Sequence, residues 1–556
     1  MIRAFLLSAL FAVEAVAQPS EIYVNARVYT VDSEFSVAEA FAVEDGHFTA
    51  VGPESEIRNL ADDSTRVIDL HGRTVLPGLI DAHGHMFGLG RLQLGVVDLT
   101  GTTSFEQVIR RVVEQAEAAE PGEWIIGRGW DNESWKDTDF PTHDRLSAAV
   151  PDNPVWLSRV DGHAALANAR ALEQAEISAG TAAPAGGEII RDEQGHPTGV
   201  FIDNATALFD RVIPGEIDDP AAIIDAAQSV CLRFGLTGVH DAGVEPDLIG
   251  VYREMEASGR LNIRVYGMVP GQQALTWFET HEPYEGPFFS MRSAKLYMDG
   301  AMGSRGAWML EPYADRPVDA EGKPYTGLAV SDTDLIRTVA RHALLRDYQV
   351  CTHAIGDRAN REVLDAYEWA FNNVGHTTQA RFRIEHAQLL APDDIGRFAR
   401  LGVIPSMQPT HCTSDMRWVE DRVGPVRADG AYAWQSLLST GVRIAGGSDF
   451  PVESANPFLG IYAAVTRQNL EGEPAGGWHP SERVTREQAL RMFTIDAAYA
   501  GFAEDRLGSI EPGKLADFIV IDRDIMQCEP RAIADTVVLR TIVGGKEMYN
   551  RNDPEK

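Results

Sequence analysis

Eight short apolar segments, most of them followed by residues with helical periodicity, constrain the fold of this chain more than any other feature. Apolar runs bounded by turn residues are typical of strands buried on both faces of a parallel sheet. Eight strand–helix units within residues 74–504 predict an α/β fold, a (β/α)8 TIM-like barrel enlarged by insertions. A doubly wound sheet has the same alternation, so periodicity alone leaves that alternative open. The segments are 74–81, 236–241, 263–269, 293–298, 348–353, 382–386, 402–407 and 442–446.

The two ends of the chain read as short strands separated by Asp, Gly and Pro. Residues 18–73 and 505–556 are each too small to bury a sandwich core alone, and chain ends often lie close together. They predict one discontinuous, small β-sandwich. The largest insertion, residues 91–228 after the first barrel strand, is too long for a simple loop. It contains two strand-like runs of its own, 124–127 and 155–158.

Residues 1–17 combine one basic residue, a short apolar run and the cleavage pattern Ala15-Val16-Ala17. This three-part pattern predicts a secretory signal peptide. The run is shorter than the ~20 apolar residues that cross a bilayer, so we expect no stable membrane insertion after signal cleavage. A disordered or helical N-terminus of a cytosolic protein is the alternative. The prediction is an exported protein, periplasmic or secreted.

The composition of the chain limits the classes of molecule that it is expected to bind. The 556 residues include 49 Lys+Arg and 82 Asp+Glu, a formal net charge of −33, which repels phosphate backbones and argues against nucleic-acid binding. The 4 cysteines are far apart and form no C-x-x-C pair, which argues against a disulfide framework. We expect a small-molecule substrate, and homo-oligomerisation stays open.

Residues of the metal-ligating types gather at the C-terminal ends of the predicted strands. His83 and His85 follow the first strand, and residues two apart in an extended segment point to the same side. His353 ends the fifth strand, His386 ends the sixth, and Asp449 follows the eighth. Barrel enzymes draw their catalytic residues from these strand ends, so the pattern predicts a metal site. Imidazole and carboxylate ligands suit zinc, with iron, manganese and nickel left open.

Five stretches of sequence together resemble the amidohydrolase superfamily and, more narrowly, amidohydrolase family 3. The resemblance extends over nearly the whole chain after residue 17. It implies a metal-dependent hydrolase barrel with a composite β-sandwich. The stretches are 77–85, 161–168, 295–305, 352–357 and 508–520.

The resemblance also implies a sixth ligand, Lys295, at the end of the fourth strand. A free ammonium has no lone pair for a metal, and in related enzymes CO₂ carboxylates this lysine into a carbamate that bridges two ions. The alternative is a buried lysine paired with Asp299 or a neighbouring carboxylate. The implied binuclear site has His83, His85 and Asp449 on one ion, His353 and His386 on the other, and carboxylated Lys295 between them.

Such a site predicts hydrolysis of a non-peptide C–N bond: an amide, N-formyl or N-acyl bond. The metals lower the pKa of water, and Asp449 serves as general base and then as general acid toward the leaving nitrogen. Two alternatives are a mononuclear deaminase and a catalytically inactive solute-binding barrel. Deaminases usually carry a downstream H-x-x-E glutamate, whereas the sixth strand here reads Ile384-Glu385-His386-Ala387-Gln388 and Lys295 stands where a bridging ligand belongs. A catalytically inactive barrel is expected to lack some of the metal ligands, whereas all six candidate ligand residues are present in this sequence.

Five further residues are candidates for substrate binding. His163 and Asp161 lie in the insertion, where a loop turn with a structural histidine is the alternative. Trp130 lines the pocket or belongs to a domain core. Arg305 binds a substrate carboxylate through its two-pronged guanidinium or forms a solvated ion pair. His411 follows the seventh strand and is placed to contact substrate.

Overall fold

The computed structural model describes residues 18–213, 219–319, 321–375 and 378–553. The predicted signal peptide, residues 1–17, lies outside the described residues. Among the helices that are described, none is both long enough and apolar enough to cross a membrane.

The strands form three sheets: one from both chain ends, one in the insertion and one that makes the barrel. In chain order they are β1 (Glu21–Tyr29), β2 (Val37–Ala38), β3 (Ala40–Glu44), β4 (His47–Gly52), β5 (Arg66–Pro77), β6 (Leu79–Gly84), β7 (Val97–Asp98), β8 (Ile125–Trp130), β9 (Val155–Arg159), β10 (Ala164–Ala167), β11 (Gly187–Arg191), β12 (Pro197–Asp203), β13 (Leu236–Asp241), β14 (Arg264–Pro270), β15 (Tyr284–Glu285), β16 (Phe289–Tyr297), β17 (Gln349–Ala354), β18 (Arg383–His386), β19 (Ile404–Met407), β20 (Ala445–Gly446), β21 (Phe518–Ile521), β22 (Val538–Val543) and β23 (Lys546–Asn550).

Helices follow most of the barrel strands, and others lie in the N-terminal region, in the insertion and beyond the last barrel strand. They are α1 (Glu54–Arg58), α2 (Met86–Gln93), α3 (Phe105–Ala116), α4 (Asp144–Ala149), α5 (Ala169–Gln174), α6 (Pro220–Arg233), α7 (Pro246–Ala257), α8 (Gly271–Thr280), α9 (Thr333–Leu345), α10 (Asp357–Val374), α11 (Pro392–Leu401), α12 (Pro409–Asp415), α13 (Val419–Val423), α14 (Pro425–Ala428), α15 (Trp434–Ser439), α16 (Pro457–Thr466), α17 (Arg486–Met492), α18 (Ile495–Ala500) and α19 (Pro530–Ala534).

Eight parallel strands, hydrogen-bonded in the order β6-β13-β14-β16-β17-β18-β19-β20, form the barrel. Each of the eight predicted segments contains residues of one of these strands. The first and last strands are joined by a parallel bridge between Gly84 and Phe450. There the Asp449 N–H donates to the His83 carbonyl at 2.7 Å, and the His85 N–H donates to the Phe450 carbonyl at 2.8 Å. Because the sheet closes on itself, the doubly wound alternative is excluded and the predicted barrel is confirmed.

Amphipathic helices cover the outside of the barrel, and α9 illustrates why they form. Its buried residues Ile336, Val339, Ala340 and Ala343 recur at the spacing of one helix face. The Asp332 side chain caps its N-terminus by accepting the N–H of the second helical residue. The helix therefore buries one apolar stripe against the strands and exposes the opposite face.

Both chain ends contribute to one sheet, in the order β23-β22-β21-β5-β1-β3-β4 with β2 on β1. This sheet folds over an aromatic core in which the rings of Tyr23 and Phe41, and of Phe41 and Phe518, have centroids 4.9 Å apart. The Phe48 N–H of β4 donates to the Lys514 carbonyl at 2.9 Å, which brings the far edge of the sheet back to the segment before β21. The prediction that both chain ends build one small β-domain is confirmed, and the domain is made from a single continuous sheet.

The insertion forms a third sheet in the order β11-β12-β10-β9-β8-β7. Both strand-like runs expected here exist as β8 and β9, which are parallel neighbours. Leu99, Val112, Leu157 and Val200 are among the buried residues of its own core. The C-terminal ends of β8 and β9 face the barrel and supply part of the wall of the central cavity.

Candidate metal centre

A cavity of about 1120 Å³ lies where the C-terminal ends of the barrel strands meet the insertion. A cavity of this size accommodates a small-molecule ligand. All six predicted ligand positions line it, together with residues of the insertion. They are His83, His85, Lys295, His353, His386 and Asp449.

The ligand atoms converge at the bottom of the cavity. His83, His386 and Asp449 each offer one atom within 4.8 Å of the atoms offered by the other two. His85 Nε2 lies 3.1 Å from Asp449 Oδ1. The imidazole ring of His353 has its centroid 4.5 Å from that of His386. Strands far apart in sequence therefore deliver these five side chains to one place, as their positions at strand ends predict.

The electrostatics of the cluster favour a metal ion. Burial, reinforced by the Lys295 charge, lowers the pKa of His83 to about 4. Burial and the neighbouring histidines likewise hold the pKa of His353 and His386 well below the ordinary histidine value. These imidazoles are thus neutral at pH 7 and keep a lone pair. In the described parts of the chain, the buried His353 Nε2 has no hydrogen-bond partner. Neutral imidazoles beside a carboxylate make a donor set that fits a divalent metal.

Glu385 orients the first histidine, a role that the sequence reasoning missed. Its Oε2 lies 2.5 Å from His83 Nδ1, which places the proton on Nδ1 and turns the Nε2 lone pair toward the centre. Burial by itself raises the pKa of Glu385, but the charge of Arg383 and the hydrogen bond from His83 more than offset this and bring the pKa well below its usual range. The carboxylate therefore stays ionised although it is fully buried.

Arg383 is the buried cation that keeps this carboxylate charged. Its Nη2 lies 2.9 Å from Glu385 Oε2 and also donates to the Ala82 carbonyl at 2.5 Å and to Ser406 Oγ at 2.8 Å. Its Nη1 lies 2.8 Å from His240 Nδ1. The guanidinium thus joins four barrel strands directly beneath the candidate site. Two charged residues two apart within a buried strand are the only sequence signal for this pair.

Close backbone packing positions Asp449 at the end of β20. The Asp81 carboxylate accepts the Ser448 hydroxyl at 2.6 Å and the His83 N–H at 3.0 Å, so it ties the first and last strands together. A Cβ at Gly447 would lie 2.7 Å from Asp81 Oδ1, which only glycine avoids. Asp449 itself has φ +60°, a left-handed conformation that costs energy and is enriched at functional sites.

Lys295 is buried beside the first histidine and forms no ion pair with any described carboxylate. It is 2% exposed, and its Nζ lies 3.4 Å from His83 Nε2. Asp299, the partner considered for it, instead accepts three backbone N–H groups, including that of Ile355 at 2.9 Å. The alternative of a Lys295–Asp299 pair is therefore excluded.

Two of the predicted substrate residues reach the cavity from the insertion. The ring of His163 has its centroid 4.9 Å from that of His353, and His163 Nδ1 lies 2.7 Å from Asp203 Oδ1. Burial disfavours the protonated form of His163, but the hydrogen bond and charge of Asp203 outweigh it and raise its pKa. Asp161 lines the cavity too, but its carboxylate accepts the His163 N–H at 3.0 Å and Arg159 at 2.5 Å. The turn therefore serves to present His163.

His411 lies on the barrel side of the same cavity. Its Nε2 is 3.8 Å from Asp449 Oδ2, and its ring stacks with that of His386 at a centroid distance of 6.0 Å. His411 therefore lies beside the ligand cluster, and its contact with substrate stays a prediction.

The structure places the other two candidates away from the cavity wall. Trp130 is buried in the core of the insertion, where its indole N–H donates to the Leu157 carbonyl at 2.8 Å. Arg305 forms an ion pair with Asp315 at 2.9 Å. Neither is among the residues that line the cavity. In both cases the polar group of the side chain binds a local partner, and for Trp130 the alternative of a domain core holds.

The site lies within residues 66–549, which match the profile of a family described as the amidohydrolase family. The chain belongs to the amidohydrolase family. The match confirms the resemblance drawn from the sequence motifs, and it makes the protein an enzyme of the hydrolase class. The inactive solute-binding alternative is set aside by this membership.

Known proteins match almost the full length of the chain. It is 35% identical over 543 residues to the protein LONG AFTER FAR-RED 3 of Arabidopsis thaliana, covering 94% of this chain and 91% of that protein. It is 30% identical over 555 residues to N-substituted formamide deformylase of Arthrobacter pascens, covering 95% and 98%. A solved structure of an uncharacterized metal-dependent hydrolase from Pyrococcus furiosus superimposes with a TM-score of 0.71 at 30% identity, covering 91% of this chain and 100% of that one.

Proposed function

We propose that the protein hydrolyses a C–N bond other than a peptide bond, in an amide, N-formyl or N-acyl compound of small size. The observation that carries this proposal is the convergence of His83, His386 and Asp449 within 4.8 Å at the bottom of the cavity. The similarity to a formamide deformylase over nearly the full length of the chain favours amide-type substrates.

Two divalent ions, zinc in the first instance, are the proposed cofactors. His83, His85 and Asp449 would hold one, and His353 and His386 the other. Carboxylated Lys295 would bridge them, a role supported by its burial and its 3.4 Å approach to His83 Nε2. When bound, such ions lower the pKa of water from 15.7 towards ~7 and polarise a carbonyl oxygen.

Asp449 moves the proton in this proposal. Burial raises its pKa, but His83 and His85 outweigh burial and hold the pKa of Asp449 well below its usual range. Asp449 is therefore ionised at neutral pH. In this proposal the ionised carboxylate accepts a proton from the attacking water and returns it to the leaving nitrogen. Glu385 fixes the His83 ring during this exchange, and His163 and His411 supply polar contacts to the substrate.

Hydrolysis of a substrate panel tests the function. Metal-loaded protein is expected to release an amine and an acid from N-formyl and N-acyl amines and ammonia and an acid from amino-acid amides, and to open lactams to the amino acid. Failure on all four classes, with release of ammonia from amino-substituted heterocycles, would contradict the proposal and favour the deaminase alternative.

Metal content tests the bridged site. We expect two equivalents of metal per chain in the wild type, and at most one in Lys295→Met, because the methionine removes the bridging group while filling the same space. The measurement is elemental analysis of the purified proteins. Lys323→Met, at an exposed lysine, is the matched control and keeps two equivalents. One equivalent in the wild type, with unmodified Lys295 in a high-resolution structure, would contradict the bridge.

Export is a separate proposal, and it rests on the sequence of residues 1–17. Fractionation of the native cells is expected to recover the protein from the periplasm or the medium, with its N-terminus at or near Gln18. A full-length chain confined to the cytoplasm would rule export out.

A further inference from the structure

Arg128, at the C-terminal end of β8, lines the cavity but forms no ion pair with any described residue. Its Nη2 has one long contact, 3.3 Å to the Val160 carbonyl. Its Nε is buried and has no hydrogen-bond partner in the described parts of the chain. A guanidinium offers five N–H donors, so most of the donor capacity of Arg128 is unused.

The other arginines that line the cavity are already neutralised. Arg159 lies 2.6 Å from Asp131 and 2.5 Å from Asp161. Arg417 lies 2.5 Å from Asp131. Arg305, the arginine that the sequence singled out for carboxylate binding, pairs with Asp315 away from the wall. Among the described arginines of the wall, Arg128 is thus the one that has no ion-pair partner within 4 Å, although Asp449 and Asp161 act on its charge from a greater distance.

Arg128 lies close to the metal centre. A Cβ built on Gly162 would lie 3.5 Å from Arg128 Nη2, and the next residue, His163, has its ring centroid 4.9 Å from that of His353. A substrate held at the metal centre therefore reaches the guanidinium across a single turn of the chain. Burial lowers the pKa of Arg128 from its ordinary value, although an arginine remains charged at neutral pH. A cation in such a wall that has no ion-pair partner is stabilised further when an anion contacts it directly.

We propose that Arg128 binds a carboxylate of the substrate, so that the enzyme acts on N-acyl amino acids or related N-acylated carboxylic acids. The inference deepens the proposed function and rests on it. The planar guanidinium matches a carboxylate through two parallel hydrogen bonds. The net charge of −33 repels anions at long range, and Arg128 supplies the local cation that reverses this inside the cavity.

Binding of an uncleavable pair of ligands tests the inference independently of turnover. One ligand is 2-benzyl-4-oxopentanoic acid, in which a methylene replaces the amide nitrogen of N-acetylphenylalanine. The other is its uncharged primary amide. Calorimetric titration of the metal-loaded protein with each enantiomer gives the ratio of affinities, acid over amide. We expect the wild type to prefer the acid at least tenfold in one enantiomeric series.

The variant Arg128→Gln is expected to lower this ratio by about 10- to 100-fold, because it removes a charge-assisted bidentate contact. Arg417→Gln is the matched control, since it removes a positive charge from the same wall that Asp131 already neutralises, and it keeps the wild-type ratio. Arg128→Lys keeps the positive charge but loses the bidentate geometry of the guanidinium, so we expect an affinity ratio between those of the wild type and Arg128→Gln.

Three results overturn the inference: equal wild-type affinity for acid and amide, no measurable binding of the acid, or an unchanged ratio in Arg128→Gln. The first two results are measured on the wild type alone. They can therefore refute the inference even if Arg128→Gln does not fold. Failure of the proposed function can be distinguished from failure of this inference. In that case N-acetylphenylalanine stays unhydrolysed, while binding of the acid still depends on Arg128.

Discussion

Replacing Asp449 with asparagine is expected to lower kcat/KM by about 10²- to 10⁴-fold, the range attributed to general acid–base catalysis. Asparagine has nearly the same shape but cannot accept the proton of water. The histidines of the cluster remain, so metal stays bound. The measurement is kcat/KM for the best substrate of the panel, with elemental analysis of metal on the same preparation.

Asp98→Asn is the matched control for this variant. Asp98 also lines the cavity, but its carboxylate accepts the N–H of Thr100 and lies outside the ligand cluster. We expect its kcat/KM to stay within about threefold of the wild type, since surface substitutions of this kind have small effects. Turnover by Asp449→Asn at the wild-type rate would refute the proton role, and loss of metal from Asp449→Asn would attribute the lower activity to the lost ligand rather than to proton transfer.

Arg383→Met is expected to lower the free energy of unfolding by about 3–5 kcal/mol, the cost of leaving one member of a buried ion pair without its partner. Glu385 would then be a carboxylate with no exposed surface and no neighbouring guanidinium. The measurement is urea unfolding of metal-free protein, which removes the contribution of bound metal. The double variant Arg383→Met/Glu385→Gln should recover a large part of the loss, because it removes the unpaired charge as well.

Arg305→Met is the comparison for that experiment. Its ion pair with Asp315 is partly exposed, with about a quarter of each side chain accessible, and such pairs contribute ~0–1 kcal/mol. If Arg383→Met were as mild as Arg305→Met, the buried network beneath the metal centre would not be the stabilising element that its four-strand connections indicate.

The barrel and the positions of the candidate ligands could be predicted from sequence because both have local signals. Strands buried on two faces are read as apolar runs, and the C-terminal ends of parallel strands meet at one edge of a barrel. A ligand-type residue just after such a run therefore has its place fixed by the topology. His353 and His386, at the ends of consecutive strands, were assigned in this way and lie in adjacent positions.

The supporting network has no such signal. Glu385 meets His83 across 302 residues of sequence, and that contact exists only because the closed barrel brings β18 opposite β6. The residues that the insertion contributes to the cavity wall could not be predicted from sequence for a related reason. Whether Trp130 or Arg128 faces the cavity depends on which side of β8 packs against the core of the insertion. The pairing of β8 with β9 is irregular between these two residues, so they need not lie on the same face although they are two apart.

The order of strands in the composite sheet has a consequence for biosynthesis. β5 lies between β1 and β21, and β21 is made more than four hundred residues later. At ~5–20 residues per second the ribosome needs roughly 20 to 90 s to produce that partner. During this time one edge of β5 offers unpaired N–H and C=O groups, the kind of edge that recruits foreign strands. A nascent chain stalled before Phe518 therefore carries an open sheet edge, which is shielded only once β21 has been made.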